Sequence, residues 1–100
     1  MADSLTSSQA RKLKGMAQRM EPMLKVGKAG LSDAFIRTVD EALAQHELVK
    51  VKFSEFKEEK KVLAPQLAEK THSQLVHRVG NVAVLFRRQA DPQRQRIRLD

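Results

Sequence analysis

The four residues Gly27-Lys28-Ala29-Gly30 are the one place in this sequence where unusual backbone freedom and positive charge coincide. They follow a short apolar run, Met23-Leu24-Lys25-Val26, built from β-favouring residues, and they precede Ser32, which stands where a helix wants its N-cap. Two glycines let a chain take positive φ and let another backbone come close. The first turn of a helix offers unpaired N–H groups and the positive end of a dipole. A notch of bare main chain at a helix mouth suits phosphate, and Lys28, with Lys25 just before it, adds mobile cations. Such a site grips a nucleic-acid backbone without reading bases. Glycines at this spacing also serve ordinary tight turns, so the motif by itself leaves both readings open. The nucleotide patterns G-x-x-x-x-G-K-[ST] and G-x-G-x-x-G are both missing.

The charge of the chain agrees with a polyanionic partner. Nineteen Lys and Arg stand against twelve Asp and Glu over 100 residues, a formal net charge of +7. The surplus lies in residues 1–53 and 74–100, while residues 54–73 are balanced. A positive field of this kind raises affinity and on-rate for nucleic acid first and for anionic membrane surface second. Tyr and Trp are absent and Phe occurs four times, so a platform for stacking single-stranded bases is poorly supplied, and backbone contact is the expected mode. Cysteine is absent, which excludes disulfides, thiolate metal sites, thiol nucleophiles and iron–sulfur clusters. The longest apolar run, Val82 to Phe86, is far short of the roughly 20 residues a spanning helix needs. The opening MADSLTSSQ has neither a basic n-region nor an apolar h-region, and a cytoplasmic protein is expected.

The elements that would carry the loop follow from pattern. Thr6-Ser7-Ser8-Gln9 fits a capping box, and Ala10, Leu13, Ala17 and Met20 recur at helical spacing, giving a first helix from about Ser7 to Met20. Arg11, Lys12, Lys14 and Arg19 fall off its apolar stripe, either as a solvated face or as a basic surface. After the glycine loop, Phe35, Ile36, Val39, Ala42 and Leu43 make the buried face of a second helix that ends near His46. Strict alternation puts Val49, Val51 and Phe53 toward a core and Lys50 with Lys52 on the opposite face of a strand. Those two lysines are readable as edge-strand protection or as an extension of a basic face. Val62, Leu63, Leu67 and Ala68 continue a helical pattern to about Thr71, with Pro65 marking either a kink or the true start. Gln74–Val79 and Val82–Arg88 are strand-like runs joined by Gly80-Asn81, a two-residue hairpin signal. The order α-β-α-β-α-β-β gives an α/β (α+β) two-layer domain, with helices packed on a four-stranded mixed sheet. Residues 1–90 form the domain. Residues 91–100 are a basic C-terminal tail, expected as a frayed arm or an extra edge strand.

Leu13-Lys14-Gly15, Val26-Gly27-Lys28-Ala29-Gly30-Leu31-Ser32, His46-Glu47-Leu48-Val49-Lys50-Val51-Lys52, Val79-Gly80-Asn81 and Val84-Leu85-Phe86-Arg87 occur in an order and spacing that resembles the CRM-domain family. These are the chloroplast RNA splicing and ribosome maturation domains, in their short bacterial YhbY-like form. The resemblance covers about residues 5 to 88. It implies a fold similar to the C-terminal domain of translation initiation factor three, and RNA binding through a G-x-x-G loop comparable to that of KH domains. It also implies association with precursors of the large ribosomal subunit. On that pattern Gly27 and Gly30, with Lys28 between them, contact RNA. Ala29 departs from the polar residue often found there, and His72 stands where such proteins often have glycine.

The RNA-binding set expected from sequence is thus Lys25, Gly27, Lys28, Ala29 and Gly30, with Arg11, Lys12, Lys14, Lys50 and Lys52 around them. The partners expected are ribosomal RNA and pre-ribosomal large-subunit particles, bound by a monomer. No membrane, small-molecule substrate, cofactor or metal is expected. His46, His72 and His77 share no metal-ligand spacing, and no nucleophile and base stand at a recognisable interval, so no catalysis is expected. Arg87, Arg88 and the tail arginines read as a nonspecific electrostatic supplement. Sequence-specific DNA reading fits poorly, because the second helix carries Asp33, Asp40 and Glu41. The alternative function is a protein-interaction adaptor whose basic surface docks acidic partners on ribosomal particles.

Overall fold

A computed structural model describes residues 5–99. Helix α1 (Ser7–Gln18) starts at the capping box read from sequence. The Thr6 hydroxyl accepts from the Gln9 amide at 3.1 Å, and the Gln9 side chain accepts from the Thr6 amide at 3.0 Å. Strand β1 (Leu24–Val26) leads through the glycine loop into α2 (Asp33–His46), which Ser32 caps by accepting from the Phe35 amide. Strand β2 (Leu48–Phe53), helix α3 (Lys60–Lys70) and the hairpin strands β3 (Gln74–Val79) and β4 (Val82–Phe86) follow.

The sheet order is β1-β2-β4-β3, with β1 parallel to β2 and the other pairs antiparallel, so it is mixed. In the Gly80-Asn81 turn only Gly80 takes positive φ (+56°), the pattern of a type II′ turn. Because side chains alternate along a strand, β2 divides its residues between two faces. Val49, Val51 and Phe53 join Val26, Ala83 and Leu85 against Val39 and Leu43 of α2 and Ala64 and Leu67 of α3. Leu48 joins Val84 and Phe86 of β4 against Leu13 and Ala17 of α1. Helices therefore cover both faces, and the two-layer expectation counts one layer too few. The α1 stripe needed apolar strand residues of its own, and Leu48, Val84 and Phe86 supply them.

Helix α3 begins five residues before Pro65 rather than at it, and the proline sits inside. The Lys61 carbonyl one turn back loses its amide partner there, but Lys61 and Pro65 are both exposed and water can take its place. Nor is the C-terminal segment an arm or a strand. Ile97 and Leu99 complete the α1-side core, and Leu99 is buried. Its anchor is Glu47, 1% exposed at φ +64°, between α2 and β2. One carboxylate oxygen accepts from the amides of Arg96 (2.6 Å) and Ile97 (3.0 Å), and the other accepts from that of Gln89 (2.8 Å). No helix among the described residues is long and apolar enough to cross a membrane.

Candidate nucleic-acid interface

The glycine loop closes as a turn in which the Gly30 amide donates to the Gly27 carbonyl at 3.0 Å. Its two glycines differ. Gly30 is buried at φ +64°, and a Cβ there would stand 3.3 Å from the Phe56 ring. Gly27 is exposed, needs no positive φ, and has nothing within 4 Å of where a Cβ would be. Lys28 and Ala29 are exposed as well. Both glycines were expected to supply unusual backbone freedom; only Gly30 does, and it spends that freedom on packing under Phe56. The exposed part of the loop is Gly27-Lys28-Ala29, and Gly27 alone of the three has no side chain.

Strand pairing brings two further lysines to this edge. Lys25 of β1 lies in register with Lys52 of β2. In a parallel ladder, in-register residues project from the same face about 4.8 Å apart. Both side chains are exposed, on the face opposite the Val26 and Phe53 core, at the carboxyl ends of β1 and β2 where the glycine loop departs. Like charges placed side by side repel, so the in-register Lys25 and Lys52 pair gains from a counter-charge.

The other predicted cations are elsewhere. Lys50 belongs to an interior strand, not an edge, and its ammonium donates to the Ala17 and Met20 carbonyls at 3.0 and 2.9 Å. It satisfies the carbonyl end of α1, where the helix dipole is negative. The Lys12 ammonium donates to the Arg98 carbonyl and ties α1 to the tail. That tail hangs on Glu47, just before β2, whereas the glycine loop flanks the far end of the same strand, about 17 Å away for six extended residues. Arg11 is exposed on the same helix and Lys14 is half-buried. Arg87 is not a loose supplement either. It pairs with the Asp40 carboxylate at 2.6 Å and donates to the Thr71 and Asp40 carbonyls, clasping α2, α3 and the end of β4.

Sequence comparison places this architecture. The profile of the CRS1 / YhbY (CRM) domain matches residues 5–87. The chain belongs to the CRM-domain family. Over 84 residues it is 38% identical to the "Probable RNA-binding protein YqeI" of Bacillus subtilis, spanning 83% of this chain and 88% of that protein. It is 31% identical over 85 residues to an "RNA-binding protein" of Haemophilus influenzae, spanning 84% and 86%. The CRM fold is shared with the solution structure of SAV1595 from Staphylococcus aureus, titled a putative RNA binding protein, at a TM-score of 0.76 and 32% identity. That comparison covers 95% of this chain and all of the other. The CRM match ends at residue 87, so most of the Glu47-anchored segment lies beyond it.

One residue of this CRM domain that sequence reasoning passed over stands beside the loop. Phe56 is 39% exposed at φ +57°, and it lines an open groove of about 640 Å³ together with Lys28 and residues 54–59. Only its place in an otherwise charged segment, Ser54 to Lys61, marks it in the sequence.

Proposed function

We propose that this CRM domain is an RNA-binding protein that holds the sugar–phosphate backbone of ribosomal RNA at Gly27-Lys28-Ala29, with Lys25 and Lys52 neutralising flanking phosphates, during assembly of the large ribosomal subunit. The observation that carries the grip is the exposed, sterically open Gly27 beside the in-register lysine pair. The fold itself has no use for a glycine at that position, whereas a backbone-to-backbone approach does. The ribosomal destination is supported by the resemblance of the chain to the stand-alone bacterial members of the family. Three lysines around a short loop meet phosphate without base-edge readout, so at the loop itself recognition is by backbone course.

Crosslinking in cells followed by sequencing of the bound RNA tests ligand class and location together. Reads concentrated on large-subunit ribosomal RNA support the reading; a spread without ribosomal enrichment contradicts it. Association with ribosomal particles that persists after nuclease digestion favours the adaptor instead.

A further inference from the structure

Phe56 is a large aromatic ring partly open to solvent beside the loop, and its backbone holds it there against the steric preference of a bulky residue. A non-glycine side chain at φ near +57° is strained, so the surrounding structure must hold it there. Backbone hydrogen bonds on either side keep the residue in place: the Glu55 amide donates to the Val26 carbonyl at 3.1 Å and the Glu59 amide donates to the Phe56 carbonyl at 3.1 Å. One edge of the ring rests on Gly30, while 39% of the residue remains exposed in the groove that Lys28 also lines. The rest of the groove includes Glu55, Glu58 and Glu59. Carboxylates repel phosphate, but they accept hydrogen bonds from the exocyclic amines of bases.

We infer that Phe56 is a stacking platform for one unpaired base of the RNA, so that the glycine loop takes the backbone and the neighbouring groove takes the base. This rests on the RNA-binding reading above and adds to it a preference for single-stranded or bulged RNA over a continuous duplex. The ring is fixed before the ligand arrives, which lowers the entropy lost on stacking. An aromatic face accepts any base, and the glutamates bias the pocket toward bases that carry an amino group.

The chain contains no Trp, so Phe56→Trp introduces a single reporter in the groove. Its emission is expected to be quenched by a single-stranded RNA oligonucleotide and left unchanged by a fully paired RNA duplex. Phe56→Leu, which keeps apolar bulk over Gly30 without a π face, is expected to weaken binding of the single-stranded oligonucleotide about ten-fold or more while duplex binding stays constant. If the Trp emission is unmoved by single strands, or if Phe56→Leu binds both RNAs as the wild type does or loses both equally, the platform is overturned. Gly27→Asp measured alongside keeps the two claims apart. Loss of binding in Gly27→Asp with normal Phe56→Leu upholds the loop and refutes the platform. The reverse pattern upholds the platform and refutes the loop.

Discussion

Gly30 takes the left-handed backbone beneath Phe56, whereas Gly27 takes ordinary φ in open space, and the two should therefore respond differently to the same added methyl group. Gly30→Ala is expected to destabilise the fold by about 1–2 kcal/mol, because it forces a side chain into positive φ and onto the ring. Gly27→Ala should leave the urea midpoint unchanged. Equal losses at both positions would mean that the turn needs both glycines for folding. His72 gives a second test of local strain. It follows α3 at φ +53° in a Schellman arrangement, with its amide on the Glu69 carbonyl and the Ser73 amide on the Ala68 carbonyl. His72→Gly is expected to raise stability by up to about 1 kcal/mol in urea unfolding, and a decrease would show that the imidazole does more for the native state than its backbone costs.

At the scale of elements, Lys50 and Lys52 stand two residues apart on one face of β2, yet only Lys52 remains exposed, since Lys50 closes the carboxyl end of α1. Lys50→Met should lower stability by about 1–2 kcal/mol and leave RNA affinity within two-fold; Lys52→Met should do the opposite and reduce the salt slope of binding by about one. Glu47→Gln keeps the shape of the buried anchor but turns one of its two acceptors into a donor facing an amide. A loss of about 1–3 kcal/mol and faster hydrogen exchange from Gln89 to Ile97 are expected, and unchanged exchange there would show that the carboxylate does not hold the segment. The elements themselves were largely legible. The Thr6 capping box, the Ser32 cap, the β2 alternation and the Gly80-Asn81 turn are local signals, and local hydrogen bonds decide them. What escaped sequence reading depends on distant partners. Ile97 and Leu99 alternate with Arg96 and Arg98 and so pass for a basic arm until α1 is seen to need a cover. Lys50 shows no sign of its helix-end carbonyls, and Phe56 shows none of its place beside Gly30.

Across the whole molecule, the two ends of β2 divide the work. At its amino end Glu47, Lys12 and the C-terminal segment lock α1 onto the sheet; at its carboxyl end the glycine loop, Lys25, Lys52 and Phe56 remain open. Much of the net charge of +7 thus serves the fold or lies away from the loop, and the proposed contact leaves three lysines, Lys25, Lys28 and Lys52, to meet phosphate. Releasing about three counterions gives a slope of roughly −2 to −3 in log affinity against log salt concentration, which is shallow for so basic a chain. The most direct test is the affinity of wild type and Gly27→Asp for a large-subunit ribosomal RNA fragment across a salt series, with urea unfolding of both proteins as a check. Gly27→Asp is expected to unfold like the wild type and to bind at least ten-fold more weakly at physiological salt. Equal binding by the two proteins would mean that the loop does not hold the RNA backbone.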